Sequence, residues 1–244
     1  MKKILLICVT YHSDKELSKF LESVHHAAER GKDTMRVDVA VIDNGQNNRG
    51  YFGGALPIYN ERAKEYDFVS ISNVDLQLSP DFFERLLELN PTGIGWIVPD
   101  IYTAKINRHE NPYMITRPTK RNFVIWDIIY SSTLIYRLYH KLYVIKSKRT
   151  KTYPMCDVYA GHGSFMLFTA AFVQKWPELH FPGFMYGEEI FMAELVHQAQ
   201  LIVRYVPNLR IDNTGNVSTG LINQDRKSRW SKESLQLIRK RFFT

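Results

Sequence analysis

The sequence predicts an α/β protein built on an open, mostly parallel sheet with flanking helices. In the first half of the chain, short apolar runs alternate with polar stretches that carry apolar residues at helical spacing, a pattern typical of strands joined by crossover helices. Polar turn residues follow several of these runs, as expected where a strand ends. The 244 residues are 45% hydrophobic and 13% aromatic, which is enough to bury one substantial core.

The first predicted unit is a strand, a helix and a second strand. Residues 3–9 form an apolar run, and residues 14–29 place apolar side chains three and four positions apart, as on one face of a helix. Residues 37–42 form the second strand and end at Asp43-Asn44-Gly45. The same criteria predict later strands at residues 67–72, 95–99, 164–168 and 201–206, and helices at residues 56–65, 188–198 and 230–243. A further helix follows Ser79-Pro80-Asp81, with proline at an early helical position. Residues 101–122 are predicted to be a loop or a small antiparallel excursion.

Two segments carry the excess positive charge of the chain. The formal net charge is +7, whereas residues 117–151 hold nine Lys/Arg against one acidic residue and residues 226–241 hold seven against one. Such blocks suit anionic lipid, phosphate-bearing substrates or nucleic acid, and a solvated basic face is the plain alternative. We therefore predict a catalytic domain over residues 1–220, with a basic helical insertion at about 123–150 and a basic helical extension at 221–244.

The insertion contains a predicted amphipathic helix. Its apolar stripe and the cations beside it comprise Leu134, Leu138, Leu142 and Ile145 with Arg137, Lys141 and Lys148. Such a helix either lies in a membrane interface or packs on the domain, and periodicity alone does not separate the two. The segment is interrupted by charge and lacks the run of about 20 apolar residues that spans a bilayer.

The cysteines and the N-terminal residues predict a cytoplasmic location. Cys8 and Cys156 lie far apart and give no disulfide framework, so a reducing cytoplasm is expected. The opening apolar run is too short for a signal peptide and lacks a small-residue cleavage site.

Polar side chains stand at three predicted strand ends, where ligands of open α/β sheets gather. They are Thr10-Tyr11, Asp43-Asn44 and Asn73-Val74-Asp75. Together they form a plausible floor for a nucleotide, although a single Asp or Asn at such a position is often only a turn former. A carboxylate at Asp75 could hold a hard divalent cation against a diphosphate.

Adjacent carboxylates mark a second candidate site at Gly187-Glu188-Glu189, where a helix is predicted to begin. Negative charge is favoured at a helix N-terminus, and one carboxylate could remove a proton from an acceptor hydroxyl. Both could equally be ordinary first-turn residues. Phe181, Phe184 and Tyr186 precede the pair, and aromatic walls of this kind stack well on sugar rings.

These segments resemble the inverting family 2 glycosyltransferases, which have the GT-A fold, and in particular the bacterial rhamnosyltransferase-like and O-antigen or capsule members. The resemblance covers residues from about 4 to 218 and depends on the order and spacing of several motifs. The matching segments are Val-Thr-Tyr at 9–11, Val-Ile-Asp-Asn-Gly at 41–45, the Gly-rich passage at 48–54, and the longer segments at 72–81, 160–168 and 181–189.

The resemblance implies a role for each of these segments. Thr10, Tyr11 and Asp43 would contact the nucleotide, with Asn44, Gly53 and Asn73 beside them. His162, Gly163 and Tyr186 would lie on the acceptor side, and Asp75 would hold Mg²⁺ or Mn²⁺. Glu189 would be the catalytic base. Because the family usually has Asp at this position, Glu188 remains a rival base. Asn213, the second candidate metal ligand, stands where the family often has a histidine near the pyrophosphate.

The expected activity is inverting transfer of a sugar from a UDP- or dTDP-sugar to a glycan or a polyprenyl-diphosphate-linked acceptor in cell-surface polysaccharide synthesis. The enzyme would sit at the inner face of the cell membrane, and a homodimer is compatible with this interpretation. The rivals are a sugar-phosphate nucleotidyltransferase, whose Gly-rich basic segment after the first strand is missing, and a nonenzymatic nucleic-acid or anionic-surface binder. Basic residues concentrated on amphipathic helices beside an acidic remainder favour lipid over nucleic acid as the partner.

Overall fold

A computed structural model describes residues 1–146, 152–214 and 223–244, with the backbone alone for residues 140–146. The strands are β1 (Lys2–Thr10), β2 (Met35–Asp43), β3 (Phe68–Asn73), β4 (Leu76–Leu78), β5 (Ile94–Thr103), β6 (Arg108–His109), β7 (Cys156–Val158), β8 (Phe165–Thr169) and β9 (Ile202–Asn213). The helices are α1 (Asp14–Glu29), α2 (Tyr51–Arg62), α3 (Phe82–Glu88), α4 (Lys120–Ser131), α5 (Thr133–Lys146), α6 (Ala170–Lys175), α7 (Glu188–Gln198) and α8 (Gln224–Phe242).

The strands form one open mixed sheet in the order β2-β1-β3-β8-β5-β9-β4, with β6 paired to β5 and β7 to β9. The three longest ladders, β1 with β2, β1 with β3, and β5 with β9, are parallel. Strand β8 runs antiparallel between β3 and β5 and joins the two parallel halves. The predicted α/β class with an open sheet and flanking helices is confirmed.

The core lies on both faces of the sheet, as β1 shows most clearly. Leu5 and Ile7 pack into one apolar cluster, while Ile4 and Leu6 pack into the other. Successive side chains of a strand point to opposite faces, so a strand covered on both sides reads as a continuous apolar run. This explains why the run at residues 3–9 does not alternate with polar residues.

Most element positions agree with prediction. Helices α1 and α7 begin and end where the sequence places them, β1 and β2 run slightly beyond the predicted strands, and β3 is displaced by a single residue. The larger differences are that β5 continues to Thr103 and β9 to Asn213, and that α2 begins at Tyr51 and α8 at Gln224, ahead of the predicted helices. The segment predicted as irregular contains the end of β5, strand β6 and the start of α4.

The two basic segments are helical where the structure describes them. Helices α4 and α5 lie within the predicted insertion, and Leu134 and Leu138 of the apolar stripe are exposed. The side chains of Lys141, Leu142 and Ile145, and all of Lys148, fall outside the described residues. Helix α8 packs on α4, where the rings of Phe123 and Phe243 are 4.5 Å apart. None of the described helices is long and apolar enough to cross a membrane.

Candidate active site

The carboxyl ends of β1 and β2 form the first part of the site. Thr10 pairs in register with Asp43, and the backbone N–H of Asn44 donates to the Thr10 carbonyl at 2.9 Å. Thr10 and Asn44 are buried, yet Thr10 Oγ1 and Asn44 Oδ1 have no hydrogen-bond partner among the described residues. Buried polar atoms are normally paired, so these two oxygens indicate a place where a polar ligand or water binds.

The exposed groups around these atoms are turn residues. The carboxylate of Asp43 accepts the backbone N–H of Gly45 at 2.7 Å, which explains the local turn. The ring of Tyr11 lies edge-on to His12 with 4.4 Å between centroids. The structure therefore brings three predicted nucleotide contacts, Thr10, Tyr11 and Asp43, to one sheet edge with Asn44.

The start of α2 is held against the carboxyl ends of β1 and β2. Asn44 Nδ2 donates to the carbonyl of Gly50 at 2.8 Å. Gly50 has φ of 77°, and a Cβ there would lie 2.1 Å from the carbonyl oxygen of Phe184. Glycine is thus required by both backbone conformation and space. Gly53 lies exposed in the first turn of α2, so the Gly-rich passage connects the strand ends with the segment that precedes Glu188.

The two predicted metal ligands are neighbours in the structure. Leu76, which follows Asp75, pairs with Asn213 in the β4–β9 ladder, and the N–H of Thr214 donates to the Asp75 carbonyl at 3.0 Å. Asp75 and Asn213 are both buried, with side-chain oxygens of the hard type that Mg²⁺ and Mn²⁺ prefer. No group of three or more His, Cys, Asp or Glu suited to a metal occurs among the described residues. The pair therefore fits a cation that keeps waters and takes further oxygens from a diphosphate.

A strained turn positions the two glutamates. Tyr186 and Gly187 have φ of 71° and 87°, and α7 begins immediately afterwards. A Cβ on Gly187 would lie 2.7 Å from the side chain of Ile238 in α8. Non-glycine residues with positive φ are uncommon and often occur at functional sites, where the surrounding structure holds them in place.

The two glutamates have different surroundings. Glu188 is buried, and its desolvation, followed by the negative charge of Glu189, raises its pKa to about 8. Glu189 faces a cavity, and its Oε1 accepts the backbone N–H of Gly163 at 3.2 Å. Glu189 is therefore the carboxylate that can contact a molecule bound in the cavity. Glu188 keeps its proton to a higher pH than an ordinary glutamate does.

Helix α8 supports this turn from behind. Ser234 Oγ donates to the carbonyl of Met185 at 2.9 Å, and the rings of Phe184 and Trp230 are 4.8 Å apart. A Cβ on Gly183 would approach Ser234 Oγ to 2.2 Å, so the helix and the turn are in close contact. The helix predicted as a C-terminal extension thus shapes the segment that carries Glu188 and Glu189.

Two observations join the strand ends to the glutamates. The N–H of Asn73 donates to the carbonyl of Ser164 at 2.8 Å, next to the Gly163 N–H that binds Glu189. The buried hydroxyl of Tyr51 has no hydrogen-bond partner among the described residues. Burial raises the pKa of Tyr51 most, and the charges of Glu188, Glu189 and Asp75 raise it further. The carboxylates of Glu188, Glu189 and Asp75, from both halves of the chain, are therefore all close enough to Tyr51 for their charges to act on it.

A cavity of about 570 Å³ opens in front of Glu189, within the size range of small-molecule sites. Its wall includes three predicted site residues, His162, Tyr186 and Glu189. The predicted nucleotide and metal residues do not line it. Six further aromatic side chains of the wall come from α4, α5 and the loops beside them: Tyr113, Trp126, Tyr130, Tyr136, Tyr139 and Tyr153.

Sequence reasoning missed one polar cluster in this wall. His109 Nδ1 lies 2.7 Å from the carboxylate of Asp100, which also accepts the hydroxyl of Tyr205 at 3.2 Å. His109 lines the cavity, whereas Asp100 is buried behind it. Asp100 directly follows the predicted strand at residues 95–99, so the strand-end criterion that selected Asp43 and Asp75 would have found it.

Solved structures resemble this fold across nearly the whole chain. A mutant of Drosophila β1,4-galactosyltransferase 7 in complex with manganese, UDP-Gal and xylobiose matches with a TM-score of 0.51 and 15% identity, covering 94% of this chain and 80% of that one. The fold is GT-A.

Two further structures with the GT-A fold extend the comparison. The 1–349 segment of S. aureus TarS matches with a TM-score of 0.52 and 9% identity, covering 98% of this chain and 72% of that one. A mannosyltransferase from Pyrobaculum calidifontis, in complex with GDP-Man and Mn²⁺, matches with a TM-score of 0.51 and 10% identity, covering 89% of this chain and 58% of that one. No family model and no curated protein matches the sequence. At these identities the likeness establishes the GT-A fold and leaves the reaction to be argued from the site.

Proposed function

We propose that this chain is an inverting glycosyltransferase that moves a sugar from a nucleotide-diphosphate donor to a hydroxyl of a glycan acceptor. The observation that carries the proposal is the position of Glu189. Its carboxylate faces a cavity with aromatic side chains in its wall, and its charge also acts, together with that of Asp75, on the buried Tyr51 hydroxyl. A base at the cavity wall and within electrostatic range of the strand-end region suits the transfer of a group from one bound molecule to another.

The donor is assigned to the strand-end region. Thr10 Oγ1, Asn44 Oδ1 and the Tyr51 hydroxyl are buried atoms that a nucleotide sugar can satisfy. Asp75 and Asn213 would hold Mg²⁺ or Mn²⁺, which neutralises charge on the leaving diphosphate when bound. The solved mannosyl- and galactosyltransferase structures contain manganese with a nucleotide sugar, which supports a divalent cation here.

The acceptor is assigned to the cavity. Tyr130, Tyr136 and Trp126 supply apolar ring faces, and His109 and His162 supply polar atoms at the same wall. Sugar rings combine apolar faces with hydroxyl edges, so this mixture suits a glycan. Xylobiose in the galactosyltransferase structure supports a sugar acceptor. We extend the proposal to a UDP- or dTDP-sugar donor and a glycan or polyprenyl-diphosphate-linked acceptor of cell-surface polysaccharide synthesis.

The proposed reaction is a single displacement. An acceptor hydroxyl gives its proton to the Glu189 carboxylate while its oxygen attacks the anomeric carbon. The bond from that carbon to the diphosphate oxygen breaks on the opposite face, and the nucleoside diphosphate leaves with the electron pair. The anomeric configuration inverts. Gly163 holds Glu189 in place by its N–H, which limits the orientations that the longer glutamate side chain can take.

A donor screen tests this function. UDP-, dTDP- and GDP-sugars would be incubated with the protein and Mn²⁺, and nucleoside diphosphate release and thermal stabilisation would be measured. We expect one nucleotide class to stabilise the protein and to be hydrolysed slowly, with both effects weakened in Asp75→Asn. In Glu189→Gln, stabilisation should persist while release is lost.

Two outcomes would overturn the proposal. One is that no nucleotide sugar stabilises the protein or is hydrolysed with either Mn²⁺ or Mg²⁺. The other is pyrophosphate release from a nucleoside triphosphate in the presence of a sugar phosphate, which would identify a nucleotidyltransferase instead. A matched control is Asp81→Asn, which changes a surface carboxylate on the far side of β4 in the chain without touching Asp75.

A further inference from the structure

Helices α4 and α5 carry an unusual concentration of exposed apolar side chains. Fourteen large hydrophobic residues are exposed in the described part of the chain, and seven of them fall between residues 124 and 139. They are Val124, Ile125, Ile128, Leu134, Ile135, Leu138 and Tyr139. Scattered apolar residues on a surface are normal, whereas a concentrated patch marks an interaction site. We call the first six the outer apolar patch.

The outer apolar patch is not part of the hydrophobic core, because the same two helices bury a different set of side chains. Phe123 packs against Phe243, which follows α8, and Trp126 and Tyr130 line the cavity. Phe123, Trp126 and Tyr130 thus face the protein, whereas the six aliphatic residues of the outer apolar patch face outward. Leu134 is 78% exposed and Leu138 is 60% exposed, one helical turn apart. Such a division of side chains is typical of a helix that lies in a membrane interface.

The charge around the patch is positive. Lys120, Arg121 and Arg137 are exposed on the same two helices and form no ion pair with any described residue. Asp127 is the one acidic residue in α4 and among the described side chains of α5. Its carboxylate accepts a hydrogen bond from Gln236 Nε2 at 2.7 Å and lies 4.0 Å from Lys232 Nζ. Its charge is therefore directed toward α8. The outer apolar patch combines aliphatic side chains with unneutralised cations, which complements an anionic lipid surface.

We propose that the outer apolar patch of α4 and α5 docks this protein onto the surface of an anionic lipid bilayer. The aliphatic side chains enter the boundary between headgroups and acyl chains, and Lys120, Arg121 and Arg137 contact the anionic headgroups. The docking does not depend on the reaction at the cavity. It has one consequence for that reaction, since α4 and α5 also form the aromatic wall and would hold the cavity beside the membrane.

Vesicle binding by the full chain tests the proposal. The protein would be floated with phosphatidylcholine vesicles and with vesicles in which about one-third of the lipid is phosphatidylglycerol. We expect flotation with the anionic vesicles at low salt and a strong loss at about 1 M salt, where charges are screened within about 3 Å. Arg121→Gln and Arg137→Gln should each weaken binding about fivefold.

The apolar part is tested separately with Leu134→Ser/Leu138→Ser, which should weaken binding more than tenfold. The matched control is Val41→Ser/Ile106→Ser, because these residues are 43% and 51% exposed outside α4 and α5. This control should bind as the unchanged protein does. Circular dichroism spectra of all variants verify that the helices are intact.

Three outcomes would overturn the proposal. The first is that the protein fails to float with anionic vesicles at low salt, and the second is that the Leu134/Leu138 variant floats as well as the control. The third is a concentration-dependent dimer in sedimentation velocity that this variant abolishes, which would assign the patch to a second copy of the chain. Nucleotide-sugar hydrolysis in the donor screen is measured without lipid, so failure of docking and failure of the proposed function are distinguishable.

Discussion

The backbone N–H of Gly163 lies 3.2 Å from Oε1 of Glu189, and the two residues come from different parts of the chain. Gly163 precedes β8, whereas Glu189 stands in the first turn of α7. A Cβ on residue 163 would lie 2.6 Å from the same oxygen. Glycine is thus required for the carboxylate to approach the backbone, and this approach directs Glu189 toward the cavity.

Gly163→Ala should therefore damage activity more than folding. The added methyl displaces Glu189, and a shift of about 1 Å near a reacting group can cost about a hundredfold in rate. Transfer assays should show a loss of about tenfold to a hundredfold, with thermal stabilisation by the donor unchanged. Gly93→Ala is the control, since its φ is +75° and its Cβ would meet nothing within 4 Å. That variant should lose about 1 kcal/mol of stability and keep its activity. Full activity in Gly163→Ala would contradict the assigned role of this contact.

Glu189→Gln and Glu188→Gln should have different effects. The amide introduced by Glu189→Gln keeps an oxygen that can accept the Gly163 N–H but cannot take a proton, so kcat should fall by about 10² to 10⁴ while donor binding persists. Glu188 is buried with a raised pKa, and its neutral isostere should retain most of the activity. Kinetics with donor and acceptor varied separately would measure both. If Glu188→Gln were the inactive variant, Glu188 would replace Glu189 as the base.

The local parts of this molecule were predictable from the sequence. Helix α7 spans Glu188–Gln198 as expected, because apolar periodicity and first-turn carboxylates are local properties. The antiparallel insertion of β8 between β3 and β5 was not predictable, since an apolar run does not indicate its partner or direction. The polar cluster of His109 and Asp100 at the cavity was missed for the same reason. His109 meets Asp100 because β6 folds back on β5, and that pairing involves only two residues on each strand.

The raised pKa of Glu188 should appear in the pH dependence of stability. The unfolded chain loses this proton near pH 4.5, whereas the folded protein holds it to about pH 8, so the folded state binds more protons between these values. The free energy of unfolding should therefore decrease as pH rises through this window, by at most about 1.4 kcal/mol per unit from this group. Denaturant unfolding at several pH values would compare the unchanged protein with Glu188→Gln, in which this decrease should be absent. Glu189→Gln should reduce it in part, because the neighbouring charge contributes to the shift. Equal slopes in all three proteins would show that Glu188 is ionised near its ordinary pKa.

The ion pair between Arg117 and Glu194 should contribute to the stability of α7. Arg117 donates to both carboxylate oxygens of Glu194 at 2.7 Å, and Tyr159 donates to the same carboxylate at 2.8 Å. The Glu194 side chain is only 3% exposed, whereas Arg117 is 45% exposed. Arg117→Met leaves a buried carboxylate without its cation and should lower the free energy of unfolding by about 2 kcal/mol, less than for a fully buried pair.

Chemical denaturation measures this loss, and Arg85→Met provides the control. Arg85 pairs with Asp81 and Glu88 on the surface of α3, where solvent screens both pairs, so its removal should change stability much less than Arg117→Met does. A double variant, Arg117→Met/Glu194→Gln, should be more stable than Arg117→Met alone, because the buried charge is then removed together with its partner. If neutralising Glu194 in the double variant did not restore stability, the unpaired carboxylate would not be the cause of the loss in Arg117→Met. The loss would then come from the missing contact of the Arg117 guanidinium with the Phe243 ring, whose centroid lies 4.5 Å away.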